Sequence, residues 1–259
     1  MRNILVLINR NFLILYKNIS TNLFLYFLFP LFTYLIIVSP LANVFTMIMK
    51  SGMSYTYHSV PALIFVCTSM LSLIIPMTII RRDKNNNLLP YILSTTVDYN
   101  MYFLSILIFA VICAFFEFII SMFLAIQLSD SGSLVGLIIS FNQIFYFSIA
   151  ILPAILFFAT LGLLLSNFFI KSETMVLILF FFFLIISFGS ATFIPIDHYN
   201  ESFSIIIEKY NIINHLYNML ISILKNSNVK IGTIIISLII SIFFYFLNII
   251  IFLKTDKIK

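Results

Sequence analysis

The fold is decided by a polar segment between two long apolar stretches, RRDKNNNLLPYILSTTVDYN at residues 81–100. Because the flanking sequence is nearly free of charge over the length of a membrane-spanning helix, this segment is predicted to be a loop held at a membrane surface. Arg81, Arg82 and Lys84 lie in its first four positions, and short loops rich in Lys and Arg stay cytoplasmic. A half-apolar group follows the asparagine turn: Leu88, Leu89, Tyr91, Ile92 and Leu93. Broken by Pro90, this group predicts a short helix on the cytoplasmic surface.

The composition excludes a soluble domain. Hydrophobic residues make up 62% of the 259 and charged residues only 9%, with a mean hydropathy of +1.15, whereas a soluble globule must cover itself with polar groups. The apolar runs reach the roughly 20 residues that a helix needs to cross a bilayer and exceed barrel strands of about 10 alternating residues. We therefore predict an all-α polytopic membrane protein. Cys67 and Cys113 fall inside spans, where cysteine is usually a small buried hydrophobe and no disulfide is expected.

The apolar runs divide the chain into segments of a single transmembrane domain, residues 1–259. Six spans are predicted, at residues 22–41, 59–80, 101–127, 142–168, 175–195 and 231–253.

Residues 1–20 predict an amphipathic helix that lies in the membrane interface. Asn3, Arg10 and Lys17 form one polar stripe opposite an apolar face, so we expect the basic edge to meet lipid headgroups. A signal peptide is the alternative; it is disfavoured because the apolar region begins late and no small-residue cleavage site clearly follows.

Residues 196–230 predict a re-entrant hairpin on the outer side. Aliphatic groups there are interrupted by Glu208, Lys209 and His215, so the segment is too polar for a span and too apolar for a solvated loop. Short helices that dip into the outer leaflet, shielded by protein, would satisfy both facts.

The distribution of positive charge predicts the orientation. With both termini inside the cell, the inner segments hold ten of the fourteen Lys and Arg residues and the outer segments hold Lys50, Lys209, Lys225 and Lys230. This asymmetry predicts cytoplasmic termini in the cytoplasmic (inner) membrane.

Glu117 is the one carboxylate inside a predicted membrane core, where an ionisable group costs on the order of 2.5–3.5 kcal/mol to insert. One interpretation is a gate or a residue of a substrate path. The other is a structural glutamate, which protonation would make less costly to bury, bonded to Ser or Asn on a neighbouring helix.

Sequence motifs for catalysis are missing. The chain has no G-x-x-x-x-G-K-S/T phosphate loop, and His58, His198 and His215 occur in no metal-binding motif, so no cofactor or metal is expected in this chain. The basic residues cluster beside spans and do not form a nucleic-acid footprint. A membrane-embedded enzyme that acts on a lipid with Glu117 and His198 or His215 stays as an alternative. A secondary transporter is disfavoured, because no repeat between halves is evident.

The organisation resembles the permease of type-2 ATP-binding-cassette (ABC) exporters, the drug, lipo-oligosaccharide and polysaccharide export group. The likeness is clearest in SGMSYTYHSVPALI (51–64), RRDKNNNLLPYILSTTVDYNMYFLSIL (81–107) and FGSATFIPIDHYN (188–200). The family often has Asn-Pro in the outer hairpin, where this chain has Asn211 and Ile212.

The resemblance implies a division of labour. A separate cytoplasmic ATPase in two copies, which binds ATP and Mg, would dock on the coupling loop 81–100, with help from the N-terminal helix and the loop at Lys171. Two copies of this permease, or one and a sibling, would enclose a path between spans one, two and five. The residues that carry the coupling are then Arg81, Arg82, Leu88, Leu89, Tyr91, Ile92 and Leu93.

Overall fold

The structure is a bundle of helices in which six are long and apolar enough to cross a membrane. It is a computed structural model that describes residues 2–17, 24–45, 55–95, 97–129, 141–168, 171–224 and 231–256. No strand occurs among these residues. The predicted class, an all-α polytopic membrane protein with six spans, is therefore confirmed.

The described part of the chain contains ten helices of six residues or more, besides a short 3₁₀ helix at Ile196–His198. They are α1 (Arg2–Lys17), α2 (Phe24–Phe45), α3 (Thr56–Asn85), α4 (Leu88–Leu93), α5 (Tyr99–Ser129), α6 (Phe141–Leu165), α7 (Ser172–Gly189), α8 (Glu201–Tyr210), α9 (Ile212–Leu224) and α10 (Ile231–Asp256).

Helices α2 and α7 are not α-helical throughout. α2 contains two π-helical segments, Phe24–Leu28 and Tyr34–Val38, on either side of an α-helical turn that carries Pro30. Since proline has no N–H to donate, the regular i to i−4 pattern cannot continue through it. α7 changes to a π-helix at Ile185–Gly189, and single π turns inside helices often occur at functional positions.

The observed helix ends differ from the predicted span ends in both directions. α3 and α5 extend past their predicted spans at both ends, because no helix-breaking residue stands immediately outside the apolar runs. α7 ends at Gly189 rather than at residue 195, since Ala191 takes a positive φ of 53°. Several predictions lie outside the described residues: the end of the interfacial helix (18–20), the start of the first span (22–23), and Lys50, Lys225, Lys230, Lys257 and Lys259.

Helix α3 forms the centre of the bundle. In its most apolar stretch 89% of the residues are buried, against 17% in each of α2, α7 and α10, so α3 is surrounded by protein while these three expose one face. It packs most extensively against α5 and α6. A force applied to the end of α3 therefore acts directly on the core.

A close approach at Gly162 brings α6 against α3. A Cβ placed on Gly162 would lie 2.5 Å from the backbone oxygen of Leu73. Small residues let membrane helices approach in this way where the hydrophobic effect between them is weak. The α3–α6 contact therefore depends on the absence of a side chain at this position.

The two ends of the bundle are identified by side chains that join helix termini. At the basic end, Lys84 Nζ donates to the carbonyl of Ser166 at 3.2 Å and lies 5.5 Å from the centre of the Phe252 ring. This contact brings together the ends of α3, α6 and α10, as an alternating up-and-down topology requires.

At the opposite end, tyrosines fix the start of α3. Tyr55 Oη donates to the carbonyl of Phe193 and Tyr217 Oη to the carbonyl of His58, both at 2.7 Å. Burial raises the pKa of both phenols, so they remain protonated donors. The hairpin that precedes α10 is therefore attached to the bundle.

The break in this hairpin is capped by Asn211. Its Oδ1 accepts from the backbone N–H of Ile213 at 2.9 Å, and its Nδ2 donates to the carbonyl of Gly189 at 3.1 Å. Asparagine is among the best N-cap residues. The cap therefore forms without the proline that the family often has next to it.

Candidate functional site

The basic end of the bundle begins with a helix terminus rather than with the predicted loop. α3 continues through Arg81 and Arg82 to Asn85. Basic side chains in the last turn of a helix interact favourably with the negative end of its dipole, which stabilises this extension. Asn87 then takes the left-handed conformation, with φ of 51°, which asparagine tolerates better than most residues and which commonly ends helices. The coupling loop predicted for 81–100 thus starts only at residue 86.

A buried carboxylate gathers three helices at this end. Asp83 is fully buried and accepts from Arg10 Nη2 at 2.6 Å, from Arg82 Nη2 at 3.2 Å and from Tyr102 Oη at 2.9 Å. Breaking a buried charge pair is strongly destabilising, because the remaining charge loses its partner. The group fastens α1 and the start of α5 to the end of α3, and we name it the Asp83 cluster.

The N-terminal helix is held by this cluster in a way that the sequence analysis did not predict. Arg10 was expected to face lipid headgroups, but its guanidinium donates to Asp83, and the whole side chain is only 25% exposed. This prediction is wrong, because a buried carboxylate offers a stronger partner than a solvated headgroup. The outward face of α1 is instead apolar, with Leu5, Leu13 and Tyr16 exposed.

The short helix α4 presents two different faces. Leu89 is buried, and Ile92 and Leu93 pack against the same apolar cluster at the basic end, so they anchor α4 to the bundle. Leu88 and Tyr91 point outward and are 39% and 72% exposed. Of the predicted coupling residues on α4, these two are the ones that a partner protein can reach most directly.

The start of α7 lies at the same end. Arg81 Nη1 contacts Met175 Sδ at 3.9 Å, which places the beginning of α7 beside the end of α3. Lys171, which precedes α7, is exposed. α1, α4 and the turn at Lys171 therefore all lie at the basic end of the bundle.

Glu117 lies in the middle of α5 and away from this end. It is fully buried, and neither carboxylate oxygen has a hydrogen-bond partner among the described residues. The Ser or Asn partner of the structural interpretation is thus not present there. Tyr26 of α2 and Cys67 of α3 are near enough to interact electrostatically with the carboxylate, so Glu117 lies close to α2 and α3.

The residues in the described ranges form no recognisable catalytic centre. No group of three or more His, Cys, Asp or Glu side chains is close enough there to hold a metal ion. His198 is exposed, and its ring lies against that of Phe45 at an interplanar angle of 44°, while Glu117 is buried among helices. At the basic end, the described residues bring the partly exposed helix α4 into contact with the end of α3.

Sequence reasoning missed the Asp83 cluster. The only available signal was one acidic residue inside the basic run RRDK, which by itself indicates an ordinary charge pair at a surface. Tyr102 and Arg10 stand far from Asp83 in the chain, so their convergence became visible only in the fold.

Comparison with known proteins places this geometry in a family. A family model described as ABC-2 type transporter matches residues 2–225, from α1 through α9. No curated protein and no solved structure matches the chain significantly. Since the match covers well over half of the chain, the protein belongs to the ABC-2 type transporter family, as a membrane-spanning permease.

Proposed function

We propose that this permease exports an amphipathic, lipid-linked or glycan substrate or a drug across the cytoplasmic membrane, driven by ATP hydrolysis in a separate cytoplasmic ATPase that docks on α4. Membership of the family implies an ATP-binding partner. The observation that carries the proposal is the two-faced helix α4, with Leu89 buried and Tyr91 exposed, next to the end of the central helix.

The contacts of α4 support the proposal that a displacement of α4 is transmitted to the core of the bundle. Leu89 joins an apolar cluster that also contains Ile79 and Ile80 of α3 and Phe103 of α5. The Asp83 cluster ties the same helix ends to α1. A displacement of α4 would therefore shift α1, α3 and α5 together, as packed elements move between two arrangements.

The exposed faces of α2 and α7 support a paired arrangement. Only 17% of the apolar stretch of either helix is buried, and both contain π-helical segments. We propose that two permeases, either two copies or this chain and a sibling, bring these faces together to enclose the path, with α3 packed behind them. Both termini and the basic end would then face the cytoplasm, as the charge asymmetry predicts.

A membrane-embedded lipid enzyme is not favoured. That hypothesis needs Glu117 to cooperate with His198 or His215, yet no hydrogen bond or ion pair among the described residues joins the carboxylate to a histidine. Glu117 fits better as a path or gate residue on the α2–α3 side.

Truncating the outward face of α4 tests ATPase docking. We expect the double substitution Leu88→Ala and Tyr91→Ala to weaken recovery of the ATP-binding partner by at least about tenfold, since buried aromatic anchors dominate such interfaces. The measurement is affinity purification of the full-length chain from its native membrane, followed by nucleotide-binding assay of the recovered partner. ATP-dependent export should fall in parallel.

The matched control is Tyr210→Ala at the opposite end, because Tyr210 is 80% exposed. The Tyr210→Ala variant should recover as much of the ATP-binding partner as the wild type does. Equal recovery by the double variant, or a wild-type chain that recovers no ATP-binding protein, would refute docking on α4.

A further inference from the structure

Two neighbouring cavities at the basic end have no role in the proposed transport cycle. One, of about 220 Å³, lies between α1, the start of α2, α3 and α5. The other, of about 250 Å³, lies along the last turns of α3. Thr78 and Arg82 line both. We propose that together they form one binding site for a phospholipid with an anionic headgroup, drawn from the membrane leaflet at the basic end.

The first cavity has the shape and lining that an acyl chain needs. Along α3 it is lined by Leu71, Ile75, Thr78 and Arg82, which recur every three or four residues and so form one helix face. This face is roughly 16 Å long by the rise of an α-helix. The cavity therefore extends from a charged end into the apolar interior, as a lipid of that leaflet does.

The second cavity supplies the surroundings of a headgroup. It is lined by Thr78, two arginines and two asparagines, Arg81, Arg82, Asn85 and Asn86. Arginine recognises phosphate through several charge-assisted hydrogen bonds, and basic pockets between membrane helices bind anionic headgroups. The polar side chains that line the two cavities offer more hydrogen-bond donors than acceptors, which favours binding of an anionic group.

Unsatisfied donors at the cavities support the same ligand. Asn11 lines the first cavity, is only 2% exposed, and its Nδ2 has no hydrogen-bond partner among the described residues. Arg81 lines the second, and its buried Nε is likewise without a partner there. Leaving a buried donor unsatisfied is destabilising, whereas phosphate and ester oxygens would accept from both.

The charge balance agrees with an anionic headgroup. The Asp83 carboxylate is already shared by Arg10, Arg82 and Tyr102 and lines neither cavity. Arg81 has no carboxylate partner in the described part of the chain. The occupant must have both an anion and an apolar chain, because a free phosphate would leave the first cavity unfilled. The site shares Arg81 and Arg82 with the predicted coupling residues, so lipid retention is measured without the ATPase, where docking cannot affect the result.

The test is lipid retention by the full-length chain without its ATPase. The purified protein in a neutral detergent is equilibrated with equal amounts of phosphatidylglycerol and phosphatidylcholine, and bound lipid is counted by native mass spectrometry. We expect phosphatidylglycerol to be retained in preference. Thr78→Phe, which blocks the junction, and Arg81→Gln, which removes a cation, should each lower its retention about fivefold.

The matched controls are Val176→Phe on an exposed apolar face and Lys171→Gln at an exposed cation, and both should retain lipid as the wild type does. Lipid-free melting curves check that the two test variants remain folded. Equal retention of the two lipids by the wild type, or unchanged retention in both test variants, overturns the proposal. Displacement of phosphatidylglycerol by equimolar inorganic phosphate also overturns it and assigns a phosphate site.

Discussion

Replacing Asp83 with asparagine is expected to lower the free energy of unfolding by about 3 kcal/mol. The carboxylate is fully buried and accepts from Arg10, Arg82 and Tyr102. Asparagine keeps the size but removes the charge, so Arg10 and Arg82, whose side chains are 25% and 26% exposed, lose their counter-ion. The measurement is denaturant titration of the purified chain in mixed micelles.

The matched control is Asp98→Asn, which removes an exposed carboxylate just before α5. Surface substitutions of this kind usually stay within about 0.5 kcal/mol. A double-mutant cycle with Arg10→Met should show a coupling energy of about 1–3 kcal/mol, because the two residues are in contact. If Asp83→Asn destabilises no more than Asp98→Asn, the cluster does not hold the helix ends together.

Substituting alanine for Gly162 is the second change with a large expected effect. The new Cβ would approach the Leu73 carbonyl oxygen to 2.5 Å, and a backbone atom cannot move aside as a flexible side chain can. α3 and α6 must therefore separate, and overpacking of this kind costs about 1–3 kcal/mol. We expect the upper part of this range, since α3 is the central helix. The gain in helix propensity, about 1 kcal/mol, offsets part of the loss.

The chain provides a matched control for this prediction in Gly232→Ala. A Cβ at Gly232 meets no atom within 4 Å, so only the change in helix propensity remains and stability should stay equal or rise slightly. Thermal melting of both variants in the same detergent makes the comparison. A Gly162→Ala variant as stable as Gly232→Ala would show that α3 and α6 are not in close contact.

The class of the fold could be predicted because it depends on properties that are local in sequence. Six apolar runs of sufficient length and a basic interruption at residues 81–84 are visible without any tertiary contact. The short helix around Pro90 was also visible, since apolar residues follow a turn. That Leu89 faces the bundle while Tyr91 faces outward depends on how α4 lies on its neighbours, which the sequence does not show.

The Asp83 cluster could not be predicted, because it joins residues that are distant in the chain. A stripe of Asn3, Arg10 and Lys17 on an amphipathic helix predicts a lipid interface. The same stripe would be present if a buried carboxylate on another helix bound Arg10, so the pattern cannot distinguish the two cases. Similarly, Gly162 is one of six glycines. Only the position of α3 in the fold shows that a side chain at residue 162 would collide with the backbone of Leu73. In both cases the decisive partner belongs to another helix.

The central claim is that the basic end of the bundle faces the cytoplasm, where a partner can act on α4. Labelling with a membrane-impermeant maleimide tests it most directly, in a chain whose buried Cys67 and Cys113 are replaced by serine. One variant carries Asn86→Cys at the basic end and the other Ser202→Cys at the opposite end, both at exposed positions. The account predicts that intact cells label only Ser202→Cys and that Asn86→Cys reacts after permeabilisation; labelling of Asn86→Cys in intact cells would contradict it.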